Sequence, residues 1–127
     1  MKIFALFIMI LLSVSCNRNR TEEFVTNIRS ADELFRQGKD EEAMNALVKA
    51  EKCYDDDIPS SELGSVKMRK GDIYYRYFDY AEAIGSYEEG AEIFLASGDT
   101  LNYCNALLLL CDASILNLDA SRAHKCI

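Results

Sequence analysis

The sequence has no Trp, one Pro and one His among its 127 residues. A single His cannot form a metal site that needs several imidazole ligands. The sequence also offers no nucleophile and orienting acid that would make this His a catalytic base. Basic residues are also few: 14 Lys and Arg stand against 21 Asp and Glu, for a formal net charge of −7. Because nucleic-acid binding depends on clustered Lys and Arg, this segment is expected not to bind nucleic acid. We therefore expect no enzyme, no cofactor and no metal ion.

Apolar residues, by contrast, make up half of the chain. From residue 24 onward they recur at spacings of three and four residues, which favours α-helices. The length is that of one domain. The sequence predicts an all-α fold with helices at about 22–37, 40–54, 60–77, 80–97, 100–117 and 120–127.

Several residues predict where these helices begin and end. Asp79, with Glu82 three residues later, is typical of an N-cap that opens the fourth helix. Gly98 is placed to end that helix in the left-handed conformation. Asp119 offers a similar cap for a sixth helix.

The first residues have the features of a secretory signal peptide. Lys2 gives a basic start, residues 3–12 are ten consecutive apolar residues, and small residues at 13–15 precede Cys16. A run of this length is too short to span a bilayer, which needs about 20 residues.

The position of Cys16 directly after the small residues resembles the cleavage site of bacterial lipoproteins. The resemblance implies a signal peptide at 1–15, a Cys16 that carries fatty acyl chains such as palmitate, and a polar tether at 16–23. It also implies an exported protein anchored to a membrane, on the periplasmic or cell-surface side. The alternative is an ordinary signal peptide, with Cys16 as an incidental thiol.

A 40-residue repeat runs through the rest of the chain. Its most regular members are Ala43, Ala83 and Ala123. Small residues stand twelve positions before each of them (Ala31, Gly71 and Cys111), and large residues stand four positions after (Leu47, Tyr87 and Ile127). Small residues at fixed points on successive helices predict close helix contacts, with the large residues filling the adjacent space.

The pattern Gly71–x–x–Tyr74 followed by Tyr80–x–x–Ala83–x–x–x–Tyr87–x–x–Gly90 resembles a tetratricopeptide repeat (TPR). A first copy matches from Gly38 to Ala50, and a degenerate third copy matches around Leu110, Cys111 and Ala123. The resemblance implies an antiparallel helix-hairpin solenoid, stacked as a right-handed superhelix. Its repeats would occupy about 24–58, 60–98 and, incompletely, 100–127.

In this family the first helix of each repeat lines a concave groove that binds peptides. The resemblance implies ten groove residues here: Asp32, Phe35, Arg36, Met68, Asp72, Tyr75, Arg76, Leu108, Asp112 and Ile115. The three Asp residues form a column that either selects a basic peptide or serves only the helices. In the second case Asp32–Arg36 and Asp72–Arg76 are pairs one turn apart, each worth about 0.2–0.5 kcal/mol of helix stability.

Taken together, these features predict a membrane-anchored, non-enzymatic TPR lipoprotein that acts as a protein–protein interaction scaffold. Its partners would be a protein or peptide in the groove and a membrane through Cys16. One alternative is the N-terminal sensory segment of a longer bacterial signalling or transcriptional regulator. Another is a nutrient-binding or outer-membrane-assembly lipoprotein.

The C-terminal part predicts a further contact. The four consecutive Leu residues at 107–110 are more than a helix with one covered face needs. We expect self-association or further repeats at this end, and a chain that is a fragment of a longer protein. The remaining cysteines (Cys53, Cys104, Cys111 and Cys126) are expected to be small core residues without disulfides.

Overall fold

The computed structural model describes residues 2–125, apart from the side chains at 13, 14, 16 and 17. This range forms five α-helices and no strand: α1 Lys2–Arg36, α2 Asp40–Cys53, α3 Ser60–Arg76, α4 Tyr80–Ser97 and α5 Thr100–Lys125. The prediction of an all-α fold is confirmed. The expectations for Cys126 and Ile127 lie outside the described residues.

The helix ends follow local signals in the sequence. Asp79 accepts a hydrogen bond from the backbone nitrogen of Glu82 at 3.4 Å, and Gly98 closes α4 at a φ of 75°. The turn between α1 and α2 contains Gly38 at a φ of 75°, and the turn between α3 and α4 contains Phe78 at a φ of 63°. Gly38 and Phe78 are 40 residues apart, so both turns use the left-handed conformation at the same point of the repeat.

In its first two copies, the repeat correctly predicted the residues where paired helices meet. Ala31, Ala43 and Ala83 are at most 2% exposed, and Leu47 and Tyr87 are each 1% exposed. Each small residue thus lies in a helix contact, and each large residue fills the core one turn further on.

Glycine residues let α3 and α4 pack closely and antiparallel. The facing pairs are Gly64 with Phe94, Gly71 with Tyr87, and Gly90 with Met68. A Cβ atom on Gly64 would lie 2.7 Å from the Phe94 ring, closer than a carbon–carbon contact allows. The missing side chains therefore make room for two aromatic rings and a Met between the helices.

The third copy of the repeat does not fold as predicted. α5 continues from Thr100 to Lys125, so the predicted break before residue 120, with Asp119 as its cap, is wrong. Leu118 stands where the earlier copies have their left-handed turn residue, and here the backbone stays helical. A left-handed conformation is costly for a residue with a Cβ atom, and Leu118 does not adopt it.

The contacts of α5 follow the repeat on one face only. Cys111 and Ala123, which the spacing placed in helix contacts, are exposed. Ala106 and Ala113, 40 residues after the buried Val66 and Ile73 of α3, are fully buried on the opposite face of α5. Cys104 is exposed as well, so the prediction of core cysteines holds for the buried Cys53 and is wrong for Cys104 and Cys111.

The N-terminal end of α1 differs from the expected tether. Residues 16–23 are helical and continuous with the rest of α1. This segment has no Gly or Pro, and Arg18 Nε lies 3.5 Å from Glu22 Oε1 one turn later. A polar composition without helix breakers is thus compatible with a helix here. The large apolar side chains from Ile3 to Leu12 are 46–85% exposed along it.

Candidate binding groove

A groove follows α1, α3 and α5, and two cavities lie along it. Their volumes are about 350 Å³ and about 460 Å³. Phe35 and Asp72 line both cavities, which therefore adjoin. We call these two cavities and the residues that line them the groove.

Seven of the ten predicted residues line the groove: Asp32, Phe35, Met68, Asp72, Tyr75, Arg76 and Asp112. The other three lie elsewhere. Leu108 is 70% exposed and Ile115 is 60% exposed on the outward side of α5, because no described helix packs on this face as α4 packs on the equivalent face of α3. Arg36 lies at the surface of α1, where its Nη2 is 2.6 Å from Glu33 Oε2.

Asp32 is paired with a residue of a different helix. Arg69 on α3 donates two hydrogen bonds to its carboxylate, at 2.7 Å and 3.1 Å. Arg36, the partner expected one turn later, reaches only the Asp32 carbonyl oxygen, at 3.5 Å. The predicted pair within α1 is therefore wrong. Arg69 was missed by the sequence analysis, although Arg29 stands 40 residues before it and the repeat marks both positions.

The other two Asp residues of the column accept hydrogen bonds from tyrosines. The Tyr87 hydroxyl on α4 donates to Asp72 at 2.8 Å, and the Tyr75 hydroxyl on α3 donates to Asp112 on α5 at 2.5 Å. Each carboxylate of the predicted column is thus bound to a neighbouring helix.

Burial governs the ionisation of the Asp72–Tyr87 pair. It raises the pKa of Asp72, and the opposing effects of the Tyr87 hydroxyl and of the Arg69 and Arg76 guanidinium groups do not cancel it. Burial and the Asp72 carboxylate also raise the pKa of Tyr87. Tyr87 consequently stays a hydrogen-bond donor at neutral pH.

Arg76 binds α3 to the turn between α1 and α2. Its guanidinium carbon lies 3.4 Å from the centroid of the Phe35 ring. Its Nη1 atom donates to the Phe35 carbonyl oxygen at 2.9 Å and to Asp40 Oδ1 at 2.7 Å. Asp40 is only 6% exposed, so Arg76 is the charge partner of a buried carboxylate. The predicted pair of Arg76 with Asp72 is replaced by this contact between the two hairpins.

Phe78 is a groove residue that the sequence analysis missed. It lines the second cavity, is 78% exposed and has a φ of 63° that bulky residues rarely adopt. Its ring lies edge-on to Tyr80 at 6.4 Å, and Tyr80 lies edge-on to Tyr75 at 5.4 Å. The signal was present in the sequence, because Phe replaces Gly38 at the equivalent turn of the repeat. An apolar ring is thus held at the mouth of the cavity despite its conformational cost.

A second charged cluster joins the two hairpins. Lys67 Nζ on α3 lies 3.0 Å from Glu51 on α2 and 2.9 Å from Glu89 on α4, and Lys70 Nζ lies 3.2 Å from Glu51. Burial tends to lower the pKa of Lys67, but the Glu89 and Glu51 carboxylates outweigh it and raise that pKa. The cluster thus links α2 of the first hairpin to α3 and α4 of the second.

No protein-family profile, curated protein or solved structure matches the chain. Within residues 2–125, no three His, Cys, Asp or Glu side chains are grouped as a metal site. α5 is the one described helix whose length and apolar composition would suffice to cross a membrane, and the apolar segment Lys2–Leu12 is shorter.

Proposed function

We propose that the chain is a membrane-anchored scaffold of the TPR type, and that its groove binds a segment of another protein. The observation that carries this proposal is the pair of adjoining cavities along α1, α3 and α5. These are the first helices of the three units that the 40-residue repeat defines. The matching left-handed turns at Gly38 and Phe78 further support a repeated helix-hairpin architecture.

The groove lining favours a segment with apolar side chains over a strongly basic one. The Asp32 carboxylate is already bound by Arg69, so a cationic ligand would have to compete with an internal ion pair. Phe35, Phe78 and Leu109, by contrast, offer apolar surface in the second cavity. Burying apolar surface yields about 25 cal/mol per Å², which makes these side chains the main source of affinity.

Photo-crosslinking tests the groove directly. We expect a photoreactive amino acid at Tyr80, next to the Phe78 ring, to capture a partner protein in native membranes. The same amino acid at Glu88, an exposed position of α4, is the matched control and should capture none.

The variant Phe78→Gly separates binding from folding. Gly removes the exposed ring and relieves a left-handed conformation that costs a residue with a Cβ atom about 1–2 kcal/mol. The melting temperature should therefore stay the same or rise, while the adduct formed at Tyr80 is lost. If the unmodified protein and the Phe78→Gly variant form equal amounts of adduct, a role of the groove aromatics in binding is contradicted.

The membrane anchor is proposed from the N-terminal sequence. The basic start, the apolar run and the small residues are typical of a secretory signal peptide, and the position of Cys16 directly after them resembles the acylated cysteine of bacterial lipoproteins. Each acyl CH₂ group buried in lipid contributes about 0.8 kcal/mol, so two or more chains would hold the protein firmly. Cys16→Ala should move the protein to the soluble fraction, and Cys104→Ala should leave it on membranes. Membrane retention of Cys16→Ala would argue against acylation.

A further inference from the structure

The outward face of α5 carries a continuous apolar stripe. Its members alternate at spacings of three and four residues: Leu101, Cys104, Leu108, Cys111, Ile115 and Leu118. All six are exposed, and the four larger side chains are between 58% and 73% exposed. Alternating spacings of three and four residues are those of the two contact positions in a coiled coil. We call these six residues the α5 stripe.

α5 makes its internal contacts with the opposite face. Ala106 and Ala113, both fully buried, lie on the far side of the helix from the α5 stripe. Leu109 and Leu110 are partly buried and pack against the core that contains Tyr87. The stripe is therefore a second contact surface, separate from the one that holds α5 on α4.

We propose that the α5 stripe is a homodimer interface, in which α5 packs antiparallel against α5 of a second copy of this chain. The proposal does not depend on the groove. A two-fold axis near residue 110 places Leu108 opposite Cys111 of the second copy, and Cys104 opposite Ile115 of the second copy. A large side chain then meets a small one in each central layer, with Leu101 opposite Leu118 at the ends. The stripe is thus complementary to itself, as a two-fold interface requires.

The charges of α5 favour the antiparallel arrangement. Continuing the spacing of the stripe beyond Leu118 reaches Arg122 and Lys125, both in the basic last turn of α5. A parallel pair would place each of these basic side chains next to the same basic residue of the second copy. The antiparallel pair instead brings the basic end of one α5 toward Asp99 of the second copy, at the start of its α5. The antiparallel arrangement thus replaces repulsion between basic side chains with attraction between basic side chains and an acidic one.

A lipid bilayer is the other surface that an apolar helix face suits. Asp112 argues against insertion, because it lies in the middle of α5 and accepts a hydrogen bond from Tyr75. Insertion of the whole helix would place that carboxylate in hydrocarbon and remove Ala106 and Ala113 from their contacts. A second copy covers the stripe and leaves these contacts intact.

Disulfide crosslinking of the full chain in its membranes tests both the interface and its direction. In a background with Cys104→Ser and Cys126→Ser, we expect Leu108→Cys to form a covalent dimer with Cys111 of the second copy on mild oxidation. The matched control is Ala120→Cys in the same background, since residue 120 is exposed on the other side of α5. Dimer formation by both variants or by neither would overturn the proposal. Strong crosslinking of Cys104 to itself in the otherwise unchanged chain would also overturn it, because that contact requires parallel helices.

The mass of the full chain in mild detergent gives an independent test. We expect two copies of the chain per particle for the unmodified protein and one for Leu108→Asp, with an unchanged helical circular dichroism spectrum. Ala120→Asp should keep two chains. A monomeric unmodified chain would overturn the proposal. A second result would also overturn it: a chain that stays monomeric in lipid vesicles while Cys104 and Cys111 are protected from a water-soluble maleimide. This result would assign the stripe to the membrane.

Discussion

Replacing Gly71 with Ala should destabilise the fold, although Ala is the better helix former. Gly71 lies inside α3, where it faces the buried Tyr87 ring on α4. A Cβ atom at this position would lie within 3.0 Å of three ring atoms of Tyr87. The ring has little freedom to move, because it is 1% exposed and its hydroxyl is bound to Asp72 at 2.8 Å.

The expected magnitude follows from two opposing effects. A methyl group forced into a packed contact costs about 1–3 kcal/mol, whereas the change from Gly to Ala in a helix gains about 0.5–1 kcal/mol. The difference lies between about 0 and 2.5 kcal/mol, and its midpoint of about 1 kcal/mol corresponds to a fall in melting temperature of roughly 4–8 °C for about 100 folded residues.

Gly85 provides the matched control on the neighbouring helix. A Cβ atom there has no heavy atom within 4 Å, so Gly85→Ala should show the gain in helix propensity alone. Gly90→Ala should fall between the two, because its Cβ atom would meet the flexible Met68 side chain, with Sδ at 2.8 Å. Thermal unfolding of the full chain, followed by circular dichroism at the helical minimum, ranks the three variants. Equal stabilisation by Gly71→Ala and Gly85→Ala would refute the close α3–α4 contact.

Three further predictions concern charged and titrating side chains. Because burial raises the pKa of Asp72 above its ordinary 3.8, the ionised form costs stability at neutral pH, and this cost vanishes as the pH falls below 3.8. Asp72→Asn should therefore raise the melting temperature at pH 7 but not at pH 3, and a gain of equal size at both would contradict the assignment. The raised pKa of Tyr87 means that its stabilising effect is complete below its ordinary value of 10.0 and is lost as the pH rises above it. Tyr87→Phe should flatten the fall in the free energy of unfolding above pH 10, as measured in urea, and an unchanged slope would show that Tyr87 does not cause it. Arg76→Ala leaves the buried Asp40 carboxylate without its charge partner and should cost about 1–3 kcal/mol in the same assay. Arg36→Ala, at an exposed pair, should stay within about 0.5 kcal/mol, so similar losses for both would count against the Arg76 contact.

The helix contacts of the two hairpins were predictable because the residues that form them recur at a fixed spacing in the sequence. A small residue that recurs every 40 positions on a helical pattern marks a helix contact, and Ala31, Ala43 and Ala83 are buried as that rule requires. α5 was not predictable in the same way. Its inward positions, Ala106 and Ala113, continue those of Val66 and Ile73 on α3, but no described helix packs on the face that corresponds to the α4-facing side of α3. The sequence around Leu118 contains no Gly or Pro to end the helix.

The groove, too, was predictable in part: its lining residues were, and the partners of its charged residues were not. Helix spacing placed residues such as Phe35 and Met68 on the correct side, since position on a helix face depends only on residue number. The partners of the charged residues depend on the distance between helices and on how far each side chain extends. Spacing within one helix paired Asp32 with Arg36, whereas the packed helices pair it with Arg69. Such contacts arise only when the hairpins stack.

The continuity of α1 has a consequence for how the proposed scaffold would face its surroundings. Residues 16–36 form one uninterrupted rod, and at about 1.5 Å per residue Asp32 lies about 24 Å along it from Cys16. With Cys16 at the lipid surface, as proposed, the helix that leaves the bilayer also forms one wall of the groove. The length of this helix would then limit how far the groove can lie from the membrane, with Asp32 no more than about 24 Å along α1 from the acylated residue.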